Sequence, residues 1–96
     1  MSATVANKPS ASRYEVVVDD KVGGFLSYEI ADGVIDLQHT VVQPSHRGQG
    51  LAGLLAERAF DDARAQGLRV IPSCPFIAGW VPDHPEVADL IVSPES

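Results

Sequence analysis

Apolar residues occur along the first half of the chain in short runs separated by turn signals. Two runs, Arg13–Val18 and Phe25–Ile30, are rich in strand-forming residues and are separated by a turn signal at 19–21. A second turn signal at 31–33 precedes a third run, Val34–Val42, whose alternation of apolar and polar residues is imperfect. This half is therefore predicted to form antiparallel strands.

The second half begins with a pattern that is typical of an amphipathic helix. Between Leu51 and Gln66, apolar residues recur at helical spacing, and Gly67 supplies a stop signal. The positions predicted to face the core are Leu51, Leu54, Leu55, Ala59 and Ala63. Leu68–Ile71 then predicts a short strand, which we expect to lie parallel to the third strand because a helix connects the two. Two short helices are predicted at 76–80 and 84–90.

Length and composition limit the architecture to one small domain. The chain has 96 residues, of which 45% are hydrophobic and 21% are charged, as is typical of a globular protein. The order of strands and helices predicts an α+β fold over residues 13–92. Residues 1–12 are small and polar, and they are predicted to form a flexible N-terminal tail.

The charge balance and the single cysteine narrow the functional classes. The chain contains seven Lys and Arg residues and thirteen Asp and Glu residues, which give a formal charge of -6. This negative charge argues against binding to nucleic acid or to an anionic membrane. No apolar run has the length of a membrane span, and the first residues lack the apolar core of a signal peptide. One cysteine cannot form an internal disulfide, which agrees with a reducing compartment. We therefore expect a cytoplasmic protein.

The turn between the third strand and the long helix is the most informative segment. Glycines at 48 and 50 allow a tight turn whose N–H groups converge, and the helix that begins near Leu51 adds unpaired amides and the positive end of its dipole. We expect this turn to bind an anion such as a pyrophosphate. The alternatives are an ordinary strand-to-helix loop and a nucleotide P-loop, but the Gly-Lys-Ser/Thr ending of a P-loop is absent.

The pattern Arg47-x-x-Gly50-x-Ala52 resembles the acyl-CoA signature of the GCN5-related N-acetyltransferase (GNAT) superfamily. His39-Thr40 before the turn, the run at 71–76 that contains Pro-Ser-Cys-Pro, and Trp80 followed by His84-Pro85 extend the resemblance to the small, single-domain GNAT-like proteins. The resemblance implies a minimal GNAT-like fold with a sheet splayed around an acetyl-CoA cleft. It also implies acetyl-CoA as cosubstrate, with its pyrophosphate on Arg47, Gly48, Gln49, Gly50, Leu51 and Ala52.

Two further residues are candidates for catalysis. Cys74 precedes a predicted helical turn that would favour its thiolate, and the resemblance implies that it lies near the acyl thioester. The alternative is a small buried hydrophobic residue. His39 has the chemistry of a general base for an amine or for the Cys74 thiol, and the alternative is a strand histidine bonded to the backbone. Val41 lies near the place where many relatives carry a glutamate, so His39 would act alone or through water.

The resulting hypothesis is an acetyl-CoA-dependent N-acetyltransferase that acts on an unidentified amine, either directly or through a Cys74 thioester. The alternative is a non-catalytic module that binds or senses CoA or acetyl-CoA. A thiol redox protein would lack a resolving cysteine. Cys74 and the three histidines match no zinc-ligand spacing, so no metal is expected. The sequence carries no signal for the acceptor or for the oligomeric state.

Overall fold

The protein is described by a computed structural model over residues 3–46 and 48–92. The strands are β1 (Ala3–Lys8), β2 (Arg13–Val18), β3 (Lys21–Ala31), β4 (Val34–Val42) and β5 (Arg69–Ile71). The helices are α1 (Leu51–Gln66) and α2 (Pro75–Trp80), and 3₁₀ turns lie at Pro9–Ala11, Pro44–His46, Val81–Asp83 and Pro85–Leu90. None of the described helices is both long enough and apolar enough to span a membrane.

The strands form one sheet in the order β1-β2-β3-β4-β5. The first four strands are antiparallel, whereas β5 runs parallel to β4, so the predicted α+β fold and the predicted parallel pair are confirmed. The parallel pairing joins only Val34–Asp36 of β4 to Arg69–Ile71 of β5. Because β4 continues to Val42 beyond this short ladder, the two strands part and leave an opening at the carboxyl end of β4.

The N-terminal segment differs from the predicted flexible tail. Its residues Ala3–Lys8 form β1 and pair along their whole length with β2. Side chains also hold β1 in place, since the Arg58 guanidinium donates to the Val5 carbonyl at 2.8 Å and the Tyr28 hydroxyl donates to Asn7 at 2.7 Å. The small, polar sequence gives little intrinsic strand signal, so this strand depends on partners that only the folded domain provides.

Helix α1 covers one face of the sheet, and its observed bounds match the prediction. Its buried residues are Leu51, Leu55, Ala56, Ala59, Phe60 and Ala63. Leu54 was predicted to face the core but is exposed, because it lies outside the buried face of the helix, which is centred near Ala59. A hydrogen bond of 2.9 Å from the Tyr14 hydroxyl to Asp62 joins α1 to β2. This bond fixes helix α1 to the antiparallel part of the sheet.

The two short helices that were predicted after Cys74 are present with small differences. Helix α2 begins at Pro75, one residue before the predicted start, and Cys74 is its N-terminal cap residue. The segment Pro85–Leu90 is a 3₁₀ helix, and it buries Val87 and Leu90. Together with β5, α2 forms the second wall of the opening beside β4.

Candidate functional site

A β-bulge in β4 determines which of its side chains face the opening. Ser27 of β3 pairs with His39, whereas the next residue, Tyr28, pairs with Leu37, so Gln38 is an extra residue on β4. Directly opposed residues share a face of the sheet. Thr40 therefore lies on the buried face with its partner Leu26, and His39 lies on the other face, where it is exposed.

Cys74 lies against this bulge, at the point where β4 and the chain after β5 separate. Its backbone N–H donates to the Leu37 carbonyl at 2.8 Å, which fixes the start of α2 against β4. Its sulfur lies 3.2 Å from the Thr40 hydroxyl oxygen. The residue is only 3% exposed. The thiol is thus held between two elements rather than packed among apolar side chains alone.

Two opposing effects act on the pKa of Cys74. Burial raises it, because a thiolate loses hydration in the interior. Hydrogen bonds from the Thr40 hydroxyl and from the backbone N–H groups of Ile77, Phe76 and Thr40 lower it, and together they outweigh burial. The pKa of Cys74 is therefore lowered from its usual value, which increases the fraction of the nucleophilic thiolate at neutral pH.

The Cys74 sulfur lies at one end of a groove made of three neighbouring cavities. The thiol section, about 510 Å³, is lined by Phe25, Ser27, Gln38, His39, Thr40, Val41, Cys74, Pro75 and Phe76. The middle section, about 400 Å³, is lined by Thr40, Val41, Val42, Ala52 and Phe76. The glycine section, about 440 Å³, is lined by Val42, His46, Gly48, Gly50, Leu51, Ala52, Gly53 and Phe76. Neighbouring sections share lining residues, so the three cavities adjoin one another in a row from the glycine turn to Cys74.

The glycine section offers backbone donors to a ligand. Gly48 and Gly50 have φ angles of 83° and 75°, a left-handed conformation that favours glycine. Gly50 caps α1 without any side-chain hydrogen bond, and the first amides of a helix have no partners within it. The turn therefore directs unpaired N–H groups and the positive end of the α1 dipole into the groove.

The thiol section contains a polar atom without a partner. The hydroxyl oxygen of Ser27 is buried and makes no hydrogen bond within the part of the chain that the structure describes. Buried hydroxyl groups are normally hydrogen-bonded. Ser27 is one of the residues that line the thiol section, so its hydroxyl is a polar group that the described residues leave unused there.

The groove brings together most of the residues predicted from the sequence. Gly48, Gly50, Leu51 and Ala52 line its glycine section, and Cys74 and His39 line its thiol section. Gln49 is not a lining residue, and Arg47 lies outside the described residues. His39 makes no hydrogen bond to Cys74 within residues 3–46 and 48–92; the side-chain partner of the sulfur is Thr40.

Several residues of the groove were missed by sequence reasoning. Thr40 and Phe76 were named in the sequence only within the His39-Thr40 pair and the run at 71–76, and His46, which lines the glycine section, was not among the predicted site residues. Val41 and Phe76 are apolar but 45% and 40% exposed, respectively, an exposure that is visible in the structure and has no local signal in the sequence.

Trp80 is not one of the residues that line the groove. Its ring stacks on Phe60 at 5.4 Å and on His84 at 3.6 Å between ring centroids. It lines a separate cavity of about 400 Å³ whose acidic residues include Glu57 and Asp61. In the described ranges, no three His, Cys, Asp or Glu side chains converge as metal ligands would.

Comparisons with known proteins place the chain in a family. A family model described as GCN5-related N-acetyl-transferase matches residues 13–90. Protein NATD1 from Bos taurus is 38% identical over 61 residues, which are 62% of this chain and 54% of that protein, so the match spans about half the length of this relative.

Two solved structures establish the fold. A GCN5-like protein from Staphylococcus aureus has a TM-score of 0.72 and 20% identity, with coverage of 94% of this chain and 88% of its own. N-acetylglutamate synthase from Neisseria gonorrhoeae, solved with coenzyme A and N-acetyl-glutamate, has a TM-score of 0.56 and 13% identity, with coverage of 71% and 18%. By its fold and by the family model that matches it, the chain belongs to the GCN5-related N-acetyl-transferase family.

Proposed function

We propose that the protein is an acetyl-CoA-dependent N-acetyltransferase that transfers the acetyl group to an amine through a thioester at Cys74. The observation that carries this proposal is the row of adjoining cavities between the glycine turn and Cys74. Acetyl-CoA carries an anionic pyrophosphate at one end of its narrow pantetheine arm and a reactive thioester at the other end, and a molecule of this shape suits such a groove. The coenzyme A in the gonococcal structure of the same fold supports this choice.

Each section of the groove suits one part of acetyl-CoA. The amides of the glycine section would bind the pyrophosphate, and Arg47 and His46 would add positive charge in a protein whose formal charge is -6. The middle section presents apolar walls, including Val41, Val42 and Phe76, to the pantetheine arm. The thiol section would then receive the thioester beside Cys74, where the Ser27 hydroxyl, which has no hydrogen-bond partner among the described residues, adds a polar group to the lining.

The first chemical step uses the stabilised thiolate of Cys74. Its sulfur attacks the acetyl carbonyl, a bond forms between this sulfur and the carbonyl carbon, and the bond between that carbon and the CoA sulfur breaks. CoA leaves as a thiolate and takes a proton from solvent. The Thr40 hydroxyl and the neighbouring amides hold the sulfur at the end of the groove throughout.

The second step requires an acceptor amine and a base. His39 is exposed and lines the same section as Cys74, so it would take the proton from the amine that attacks the acetyl-cysteine. A bond would form between the amine nitrogen and the carbonyl carbon, the bond between that carbon and the Cys74 sulfur would break, and Cys74 would leave as a thiolate. Val41 supplies no carboxylate, which leaves His39 as the base in this section. In direct transfer, the amine would attack acetyl-CoA itself with the same base, and Cys74 would not be acetylated.

The second candidate function is a module that binds or senses acetyl-CoA without turnover. It is favoured by the short connections between β1, β2, β3 and β4, which leave no room for the helices that shape the acceptor pocket in larger members of the superfamily.

Turnover separates the two candidates. We expect the wild-type protein to release more than one equivalent of CoA per protein in the presence of a panel of primary amines. We also expect His39→Asn to reduce the rate of the second step by about 100-fold, which is in the range typical of a general base. The measurement is thiol detection of released CoA. Release that stops at one equivalent or below with every amine would favour the sensing module.

A further inference from the structure

We propose that Thr40 is a positioning residue, whose hydroxyl holds the Cys74 sulfur at the end of the groove and stabilises its thiolate. The β-bulge at Gln38 turns the Thr40 side chain toward this sulfur. The inference rests on the proposed function and adds to it a residue that the reaction would need. Its basis is a distance of 3.2 Å between the Thr40 oxygen and the Cys74 sulfur, together with the register of β3 and β4.

The register shows what the bulge changes. In a regular strand, side chains alternate between the two faces, so a strand with Leu37 buried would also direct His39 inward and Thr40 outward. The extra residue Gln38 reverses this alternation, and Thr40 faces inward opposite the buried Leu26 while His39 faces outward. Bulges beside functional sites commonly redirect a side chain in this way.

The hydroxyl and the backbone N–H of Thr40 differ from the other donors to the sulfur. The N–H groups of Phe76 and Ile77 belong to the chain that follows Cys74, so they approach the sulfur from its own side of the opening. Thr40 approaches from β4, across the point where β4 and β5 part. Thr40 therefore holds the sulfur from across the opening, which the amides of Phe76 and Ile77 alone would not do. Its hydroxyl is the part of this contact that a side-chain substitution removes. A hydroxyl donates to a thiolate, whereas a methyl group in its place cannot.

The test is the pH dependence of Cys74 alkylation by iodoacetamide in wild type, Thr40→Val and Thr40→Ser. Cys74 is the single cysteine of the chain, so each modification reports on this thiol. Thr40→Val keeps the volume and removes the donor, so the alkylation midpoint should rise by about one pH unit, as expected for the loss of one hydrogen bond to a charged group. Thr40→Ser should restore the wild-type midpoint.

Thr4→Val is the matched control, because Thr4 lies exposed on β1, and it should leave the midpoint unchanged. Thermal melts verify that each variant is folded at the assay temperature, and Thr40→Ala replaces Thr40→Val if the latter is unfolded. A midpoint in the folded variant that equals the wild-type midpoint would overturn the role of Thr40. The assay contains no acetyl-CoA, so failure of the proposed transferase activity alone would leave this result unaffected.

Discussion

Replacement of Ala52 by Trp is expected to weaken acetyl-CoA binding by about 100-fold or more, which corresponds to about 2.7 kcal/mol. Ala52 lines both the middle and the glycine sections, so a large side chain at this position would obstruct the groove where the arm of the cosubstrate must pass. The residue is only partly buried and lies in the first turn of α1, so the substitution need not disturb the core.

Ala65→Trp is the matched control for this prediction. Ala65 is exposed in the last turn of the same helix, far along α1 from the glycine turn, and its replacement should leave the affinity within about twofold of wild type. Calorimetric titration with acetyl-CoA measures both variants. Equal affinities of Ala52→Trp and Ala65→Trp would show that acetyl-CoA binds somewhere other than the groove.

Cys74→Ala is expected to abolish covalent acetylation of the protein by acetyl-CoA. Exchange of a thioester between CoA and a protein thiol is nearly isoenergetic, so an excess of acetyl-CoA should leave one acetyl group on wild type and none on the variant. Intact-mass measurement detects the difference directly. The rate of acetylation should decline as the pH falls through the lowered pKa of Cys74, because protonation removes the nucleophilic thiolate.

Binding provides the control for this second prediction. Cys74→Ala removes only the sulfur at the end of the groove, so its affinity for acetyl-CoA should stay within about threefold of wild type, a change below 1 kcal/mol. Treatment with hydroxylamine should remove the acetyl group from wild type, as expected for a thioester. An acetyl group on both proteins would indicate modification of another residue, and its absence from both would leave direct transfer or simple binding.

The elements that form the groove could be predicted where local signals agree. The helical spacing from Leu51 and the stop signal at Gly67 predicted the bounds of α1. Because this helix connects the strand before it to the strand after it, the two strands were predicted to be parallel. The glycine turn was predictable because the left-handed conformation at Gly50 requires a residue type that is visible in the sequence. These features depend on a residue and its near neighbours along the chain.

The remaining features depend on pairing between distant residues. The bulge at Gln38 arises from the register between β3 and β4, and imperfect alternation alone did not show that Thr40 turns inward and His39 outward. The contact between Thr40 and Cys74 joins residues that are 34 positions apart, so no local pattern encodes it. Strand β1 likewise forms because β2 and Arg58 offer it hydrogen-bond partners.

Amide chemical-shift mapping during titration of the ¹⁵N-labelled protein with CoA tests the central claim most directly, namely that the groove is the binding site. We expect the largest shifts at residues 40–42, 48–53 and 74–77, because these segments form the walls from the glycine turn to Cys74. Shifts centred instead on Phe60, Arg64 and Trp80, which line the separate acidic cavity, or no shifts at saturating CoA, would contradict the account.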